Sequence, residues 1–256
     1  MTINSEQGKI KCFWNWLWSL NPVEKQVNDP AIKLLNSMRI TAKCRFNASG
    51  SLKNISNYSF LTTTVLSLGL IFIPLLQITG KQLPYSSEAL TAIQIFLAVS
   101  ILVYSVVIAT AKYELRSNSL DNCGVKIKEL TRKLRNDIYE SKDTGVSIDL
   151  ESYHRRYNKI TSSSENHKRC HFELCRLQTV DEFKITGIRR RGLYCKSYFL
   201  SVIPYIIPTM LMIIEVLFIS DLLGISSIFV SYFDTESMTS RSTAYQHINI
   251  TTNSQL

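Results

Sequence analysis

Residues 60–79 read FLTTTVLSLGLIFIPLLQIT, and residues 90–111 read LTAIQIFLAVSILVYSVVIATA. Neither stretch contains a charged residue. A bilayer core of roughly 30 Å takes about 20 apolar residues as helix, so each stretch is long enough to cross one. A core helix of a soluble protein keeps a polar face and does not stay free of charge on every side for this length. A third run, 198–219, reads YFLSVIPYIIPTMLMIIEVLFI. It contains Pro204 and Pro208 one turn apart and Glu215 near its end. Proline is tolerated in spanning helices, although it frees a carbonyl and bends the helix. The alternative for this run is a kinked or re-entrant hairpin, with residues 222–230 returning to the membrane.

Charge supports the three-span reading. Residues 1–59 carry 8 basic and 3 acidic side chains, whereas residues 80–89 carry one of each, Lys81 and Glu88. Residues 112–197 carry 19 basic and 12 acidic side chains, and residues 220–256 carry Arg241 alone against 3 acidic ones. Basic segments are retained on the cytoplasmic side. The alternation therefore places the N-terminus and the central segment inside, and the short loop and tail outside. Arg189, Arg190, Arg191 and Lys196 stand just before the third run as an inner anchor. The net charge of +9 is accounted for in large part by this asymmetry.

Outside the membrane the pattern is helical. Residues 12–20 (CFWNWLWSL) hold three tryptophans, side chains that favour the headgroup region. They read as an interfacial anchor, or as a plug into the protein's own core or a partner groove. Asp29 and Pro30 open a helix in which Leu34, Leu35, Met38, Ala42 and Phe46 form an apolar stripe. Arg39, Lys43 and Arg45 lie off that stripe, and Gly50 and Ser51 predict a break before the first span. Beyond the second span, the helix continues as a seam of Leu120, Cys123, Ile127, Leu130, Leu134 and Ile138 at steps of three and four. Residues 142–147 (KDTGVS) mark a turn, and Asp149 is placed to cap the next helix. There Tyr153, Tyr157, Ile160, Ser164, His167, His171 and Leu174 continue the stepping. The two helices read as an antiparallel hairpin that buries its seam internally or against other subunits.

The fold class is therefore all-α membrane protein, with two or three transmembrane helices, a cytoplasmic antiparallel helical hairpin and an oligomeric assembly. The chain divides into a tryptophan-rich start (1–29), an amphipathic helix (30–57), a membrane hairpin (58–111), the cytoplasmic hairpin (112–197), a third span (198–219) and a polar outer tail (220–256).

Chemistry is sparse. The phosphate-loop, dinucleotide, zinc-protease and nucleophile-elbow motifs are absent, and no cofactor is called for. The six cysteines form no C-x-x-C pair and read as reduced, small apolar side chains. His167, Cys170, His171 and Cys175 could approach a zinc ion, but four ligands on one helix cannot surround it. No metal is expected, and the histidines read as seam residues. Arg132, Lys133, Arg135, Arg155 and Arg156 flank the hairpin turn and are the candidate contacts for a partner, a phosphate-rich ligand or nucleic acid. Within the spans, Thr63, Ser67 and Gln77 share one face, and Thr91, Gln94 and Ser105 share another. Such rows either pack helices together or line an aqueous path. Glu215 is the one ionisable residue in any span and a functional candidate by position, near the outer end where water is within reach.

This layout resembles the SLATT family of bacterial two-transmembrane effectors. The stretch Tyr113, Glu114, Arg116, Leu120, Cys123, Ile127, Leu130 and Leu134 is similar to the subgroup associated with reverse transcriptases in anti-phage systems. Arg39 and Arg45 fit the family more weakly, and the resemblance covers about residues 30–185. It implies a non-enzymatic effector of the bacterial inner membrane that forms pores or disrupts the bilayer. A trigger would come from a partner, a reverse transcriptase or a nucleotide-signalling sensor. The third run and the tryptophan-rich start are extra to the two-span pattern. The other reading is a membrane tether that recruits a reverse transcriptase or its nucleic-acid product through the basic hairpin.

Overall fold

The structure, a computed structural model, describes residues 14–19, 27–79, 85–180 and 182–229. The first residues of the tryptophan-rich segment, residues 80–84 of the short loop and the tail beyond 229 lie outside them. Among the described residues six helices follow one another: α1 (Pro30–Ile78), α2 (Ser87–Ala111), α3 (Tyr113–Thr144), α4 (Leu150–Ser162), α5 (Arg169–Gln178) and α6 (Gly187–Leu222). Three helical stretches are long and apolar enough to cross a membrane: Pro30–Ile78, Ser87–Thr144 and Gly187–Leu222. Pro204 and Pro208 both lie inside continuous α6, so the third run forms one helix.

Two local expectations fail. Gly50 and Ser51 do not interrupt α1, which stays helical through both. The glycine has open space around it, and no local side chain competes for the helix backbone. Conversely, α2 does not run smoothly into α3: Lys112 adopts a left-handed backbone (φ 47°) and separates them. No sequence signal announces that break, since lysine is not a residue that favours positive φ.

The chain forms two units. One comprises Met1–Asn57 and Lys112–Pro204 and holds most of the charge. Its core joins Leu34, Met38 and Ala42 of α1 to Cys123, Ile127, Leu134 and Ile138 of α3, closed by Tyr153 of α4. All six seam residues of α3 are buried. The stripe is thus buried within one chain. Gly145 ends α3 with φ 74°, the left-handed conformation that glycine adopts without strain, and Asp149 accepts from the Ser152 N–H at 3.1 Å to start α4. Tyr153 donates to Asp137, and the Cys123 thiol reaches the Ile160 carbonyl at 3.6 Å. Higher numbers on α4 therefore meet lower numbers on α3, and the two run antiparallel.

The second of these helices is shorter than expected. The stepping from Tyr153 to Leu174 is divided by a turn at 163–168, which yields α4 and α5. The serine and asparagine side chains of 162–166 (SSSEN) hydrogen-bond nearby backbone and stop the helix: Ser162 and Ser163 donate to Lys159 and Ile160 carbonyls, and Asn166 accepts from the His167 N–H.

Trp14, Trp16 and Trp18 sit on a short helical turn with each ring about half exposed. The backbone of this turn, not its indoles, docks on the chain. The Thr186 hydroxyl donates to the Trp16 carbonyl at 2.6 Å, and the Ser19 hydroxyl reaches the Lys184 carbonyl at 3.4 Å. Gly187 (φ 59°) lies so near the Leu17 carbonyl that a Cβ there would overlap it. With each ring about half exposed, the indoles do not plug the protein's own core.

The other unit comprises Tyr58–Ala111 and Tyr205–Leu256. Its core is Ile73 of α1, Leu90 and Leu97 of α2, and Phe218 and Leu222 of α6. Leu68, Ile71, Phe96, Leu102, Ile207 and Ile213 stay exposed, so apolar side chains form the outer surface of these helices as well as their interior. That surface suits lipid rather than water.

Candidate functional site

Within the apolar unit the polar side chains fall into three groups. The first is satisfied by the helix that carries it. Thr63 donates to the Ser59 and Phe60 carbonyls, and Thr91 donates to the Ser87 carbonyl, the usual outlet for a hydroxyl in a spanning helix. Thr91 and Ser105 are exposed on α2, while Thr63 and Ser67 are half-buried on α1.

The second group links helices. The Gln94 amide donates to the Gln77 carbonyl oxygen at 3.4 Å, joining one residue from each predicted row. The Tyr104 hydroxyl donates to Ser59 at 3.2 Å, and Tyr58 and Thr209 share a bond of 2.7 Å. Tyr58 also meets Tyr205 edge to face at 5.1 Å. At the far end of α6, Asp221 is buried and accepts from the Ile228 and Phe229 backbone and from Ser226 and Tyr85. None of Tyr58, Ser59, Tyr104, Thr209 or Asp221 was singled out from sequence. Tyrosine at the end of an apolar run was the available signal, because its ring is apolar and its hydroxyl needs a partner.

The third group is Glu215 alone. It is 1% exposed, and neither carboxylate oxygen finds a hydrogen-bond partner among the described residues. Its carboxyl lies directly against Gly69 of α1, where a Cβ would overlap Oε1. The expectation that Glu215 reaches water at the helix end is corrected: α6 continues to Leu222, and the side chain turns inward. Only a glycine at 69 leaves room for it. Thr62, fully buried one helical turn and more before Gly69, donates to the Tyr58 carbonyl and offers Glu215 no bond.

The candidates in the charged unit are placed differently. Arg132, Lys133, Arg135, Arg155 and Arg156 are all exposed. Lys133 and Arg156 line a surface hollow together with Asp137, Glu140 and Asp149, and Arg155 lies 4.0 Å from Glu151. Carboxylates are interleaved with the cations, so the field is mixed in sign. The histidine–cysteine set does not assemble. His167 stands in the turn before α5, and Cys175 faces α1, with its sulfur 3.6 Å from the Ile40 carbonyl. Hydrogen bonding with Cys44 holds the pKa of the Cys175 thiol below the ordinary thiol value. No group of three or more metal-ligating side chains occurs among the described residues.

The model of the SMODS and SLOG-associating 2TM effector domain, family 5, matches residues 27–219. The match reaches the end of the third apolar run, so that helix lies within the family's extent and is not an addition to it. No curated relative and no solved structure matches the chain.

Proposed function

Because the chain belongs to the SMODS and SLOG-associating 2TM effector domain family 5, a two-transmembrane effector family associated with defence systems, we propose that it is a non-enzymatic effector of bacterial anti-phage defence that permeabilises the inner membrane when a partner triggers it. The buried, unpartnered Glu215 carries this reading. A carboxylate without a partner inside an apolar helix packing is costly, and such residues persist where function needs them. In the resting packing Gly69 and Glu215 hold each other. Rearrangement of the helices, through association of several copies, gives the carboxylate water and gives Thr91, Ser105 and the Gln77–Gln94 pair a polar path to line. Water for Glu215 is a free-energy difference that favours the open form, and the trigger needs only to bind that form better. The positive-inside pattern supports a cytoplasmic position for the charged unit, where a sensor encoded nearby would act on it.

The test is membrane potential, followed with a voltage-sensitive dye in cells expressing the chain and its gene neighbours during phage challenge. Depolarisation before lysis is expected, and Glu215→Gln at equal expression is expected to remove most of it. Full protection with an unchanged potential would sink the permeabilising reading. A Glu215→Gln protein that depolarises like the wild type would remove the carboxylate from it. The tether reading has the five exposed basic side chains in its favour. The interleaved carboxylates weaken it, and salt-sensitive nucleic-acid binding without depolarisation is the result that would raise it.

A further inference from the structure

The charged unit contains a second unpartnered ion. Arg45, read from the helical pattern as lying off the apolar stripe, is 4% exposed, and its Nε and Nη1 find no hydrogen-bond partner among the described residues. Its charge is felt at His167, whose pKa is held below the ordinary imidazole value by burial first and by Arg45 second. His171 is likewise lowered, by burial, Lys168 and His167. The Nδ1 atoms of both histidines are buried without a partner.

Both histidines line a cavity of about 220 Å³ in this unit. Its floor is apolar, with Ala48, Leu52 and Leu120. On its rim, Arg116 Nε donates to both Glu165 oxygens at 3.0 Å. Lys168 also lines it, at the start of α5, and no side chain caps the first turn of that ten-residue helix. An uncapped helix start presents N–H groups and a positive partial charge. Two cations, Arg116 and Lys168, line the space against one carboxylate, Glu165, and Arg45 lies behind His167, where its charge is felt.

We propose that this cavity binds a phosphate ester. Lys168 and the first turn of α5 supply donors to the phosphate, as helix starts do for anions in general. An anion bound there also gives the Arg45 charge a counterion that the fold by itself withholds. His167 and His171 add their buried nitrogens. The apolar floor takes the organic part of the ligand, which a bare inorganic anion would leave unfilled. Arg116 is already paired, so an arriving phosphate competes with Glu165 for it, and the 163–168 turn that carries Glu165 is the segment that responds. A phospholipid headgroup and a soluble phosphate compound share this chemistry. The inference does not depend on the permeabilising reading.

The experiment uses the full chain, purified in detergent free of phospholipid and reconstituted into nanodiscs. Thermal unfolding is followed while inorganic phosphate is titrated against chloride at matched ionic strength. Separate nanodiscs contain phosphatidylcholine alone or phosphatidylcholine with phosphatidylglycerol. A saturating rise in Tm with phosphate is expected, with an apparent affinity about tenfold weaker in Lys168→Glu, as loss of one charge-assisted bond predicts. Lys168 is exposed, so this variant folds, and Arg45→Met checks the result from the buried side. A Tm rise that requires phosphatidylglycerol and disappears in Lys168→Glu assigns the site to a lipid. A rise with phosphate that is the same in both nanodiscs assigns it to a soluble compound. No rise with either probe, or equal rises in wild type and both variants, overturns the proposal.

Discussion

Arg45 and Glu215 are both ionisable side chains buried with unpartnered polar atoms, one in each unit, yet their surroundings differ in kind. Arg45 belongs to a unit where some buried polar groups are answered, Ser49 with Ser117 at 3.0 Å and Thr41 with Tyr157 at 2.7 Å, while the Nδ1 atoms of His167 and His171 are not. It also has a cavity-lining histidine within reach of its charge. Glu215 has the backbone of Gly69 against it. The first ion can be answered by a small molecule with the fold unchanged. The second can be answered only if helices part, because no space adjoins it at Gly69. An orphan group that acts on a cavity-lining side chain thus points to a ligand, and an orphan group against a backbone points to a conformational change.

The largest effect is expected where that space is least. Gly69→Ala forces the Glu215 carboxyl out of its place and costs roughly 1–3 kcal/mol as overpacking, seen as a lower Tm in micelles or as depolarisation without a trigger. A variant with wild-type Tm and a quiet membrane would break the comparison. Arg45→Met is expected to act in the opposite direction. It removes an unanswered charge and raises Tm by the equivalent of about 1–2 kcal/mol in phosphate-free buffer. A loss of stability there would mean that the guanidinium is satisfied in the fold. Gly124→Ala tests the charged unit for tightness of the ordinary sort. The added Cβ meets Phe46 Cε1 at 2.9 Å, the far end of a half-buried ring that can shift, so a cost under about 1 kcal/mol is expected from chemical denaturation. The smallest effect is that of pH. His167 and His171 have lowered pKa values in the fold. The unfolded chain therefore takes up protons first as pH falls through about 6.5, and stability present above that value is lost below it. The Arg45 charge beside His167 and the Lys168 charge beside His171 reinforce this. A Tm that does not fall between pH 7.5 and 5.5 in His167→Asn, against a fall in wild type, would locate the effect (pH range chosen to bracket the ordinary imidazole value).

Some of this was legible along the chain. Leu120, Cys123, Ile127, Leu130, Leu134 and Ile138 are read as a seam and are all buried, because a helix with one apolar stripe has only one favourable face to hide. Gly145 and Asp149 act where turn and cap chemistry put them, since both effects are local. The division of the stepping after Ser162 was written in SSSEN, but the spacing of Ser164, His167 and His171 masked it. The burial of Arg45 was not legible for a different reason: helical periodicity sorts residues by face, but it does not show when a second element covers a face.

What the sequence by itself determined is therefore the set of helices, the three apolar stretches and the stripe that each charged helix buries, because these follow from local propensity and from solvent preference averaged over a turn. What only the tertiary structure decided is which polar groups end without partners. Gly69 and Glu215 are 146 residues apart in sequence and Arg45 and His167 are 122 apart. Whether two such residues satisfy, crowd or merely face each other is set by packing distances of a few ångströms, which no periodicity encodes.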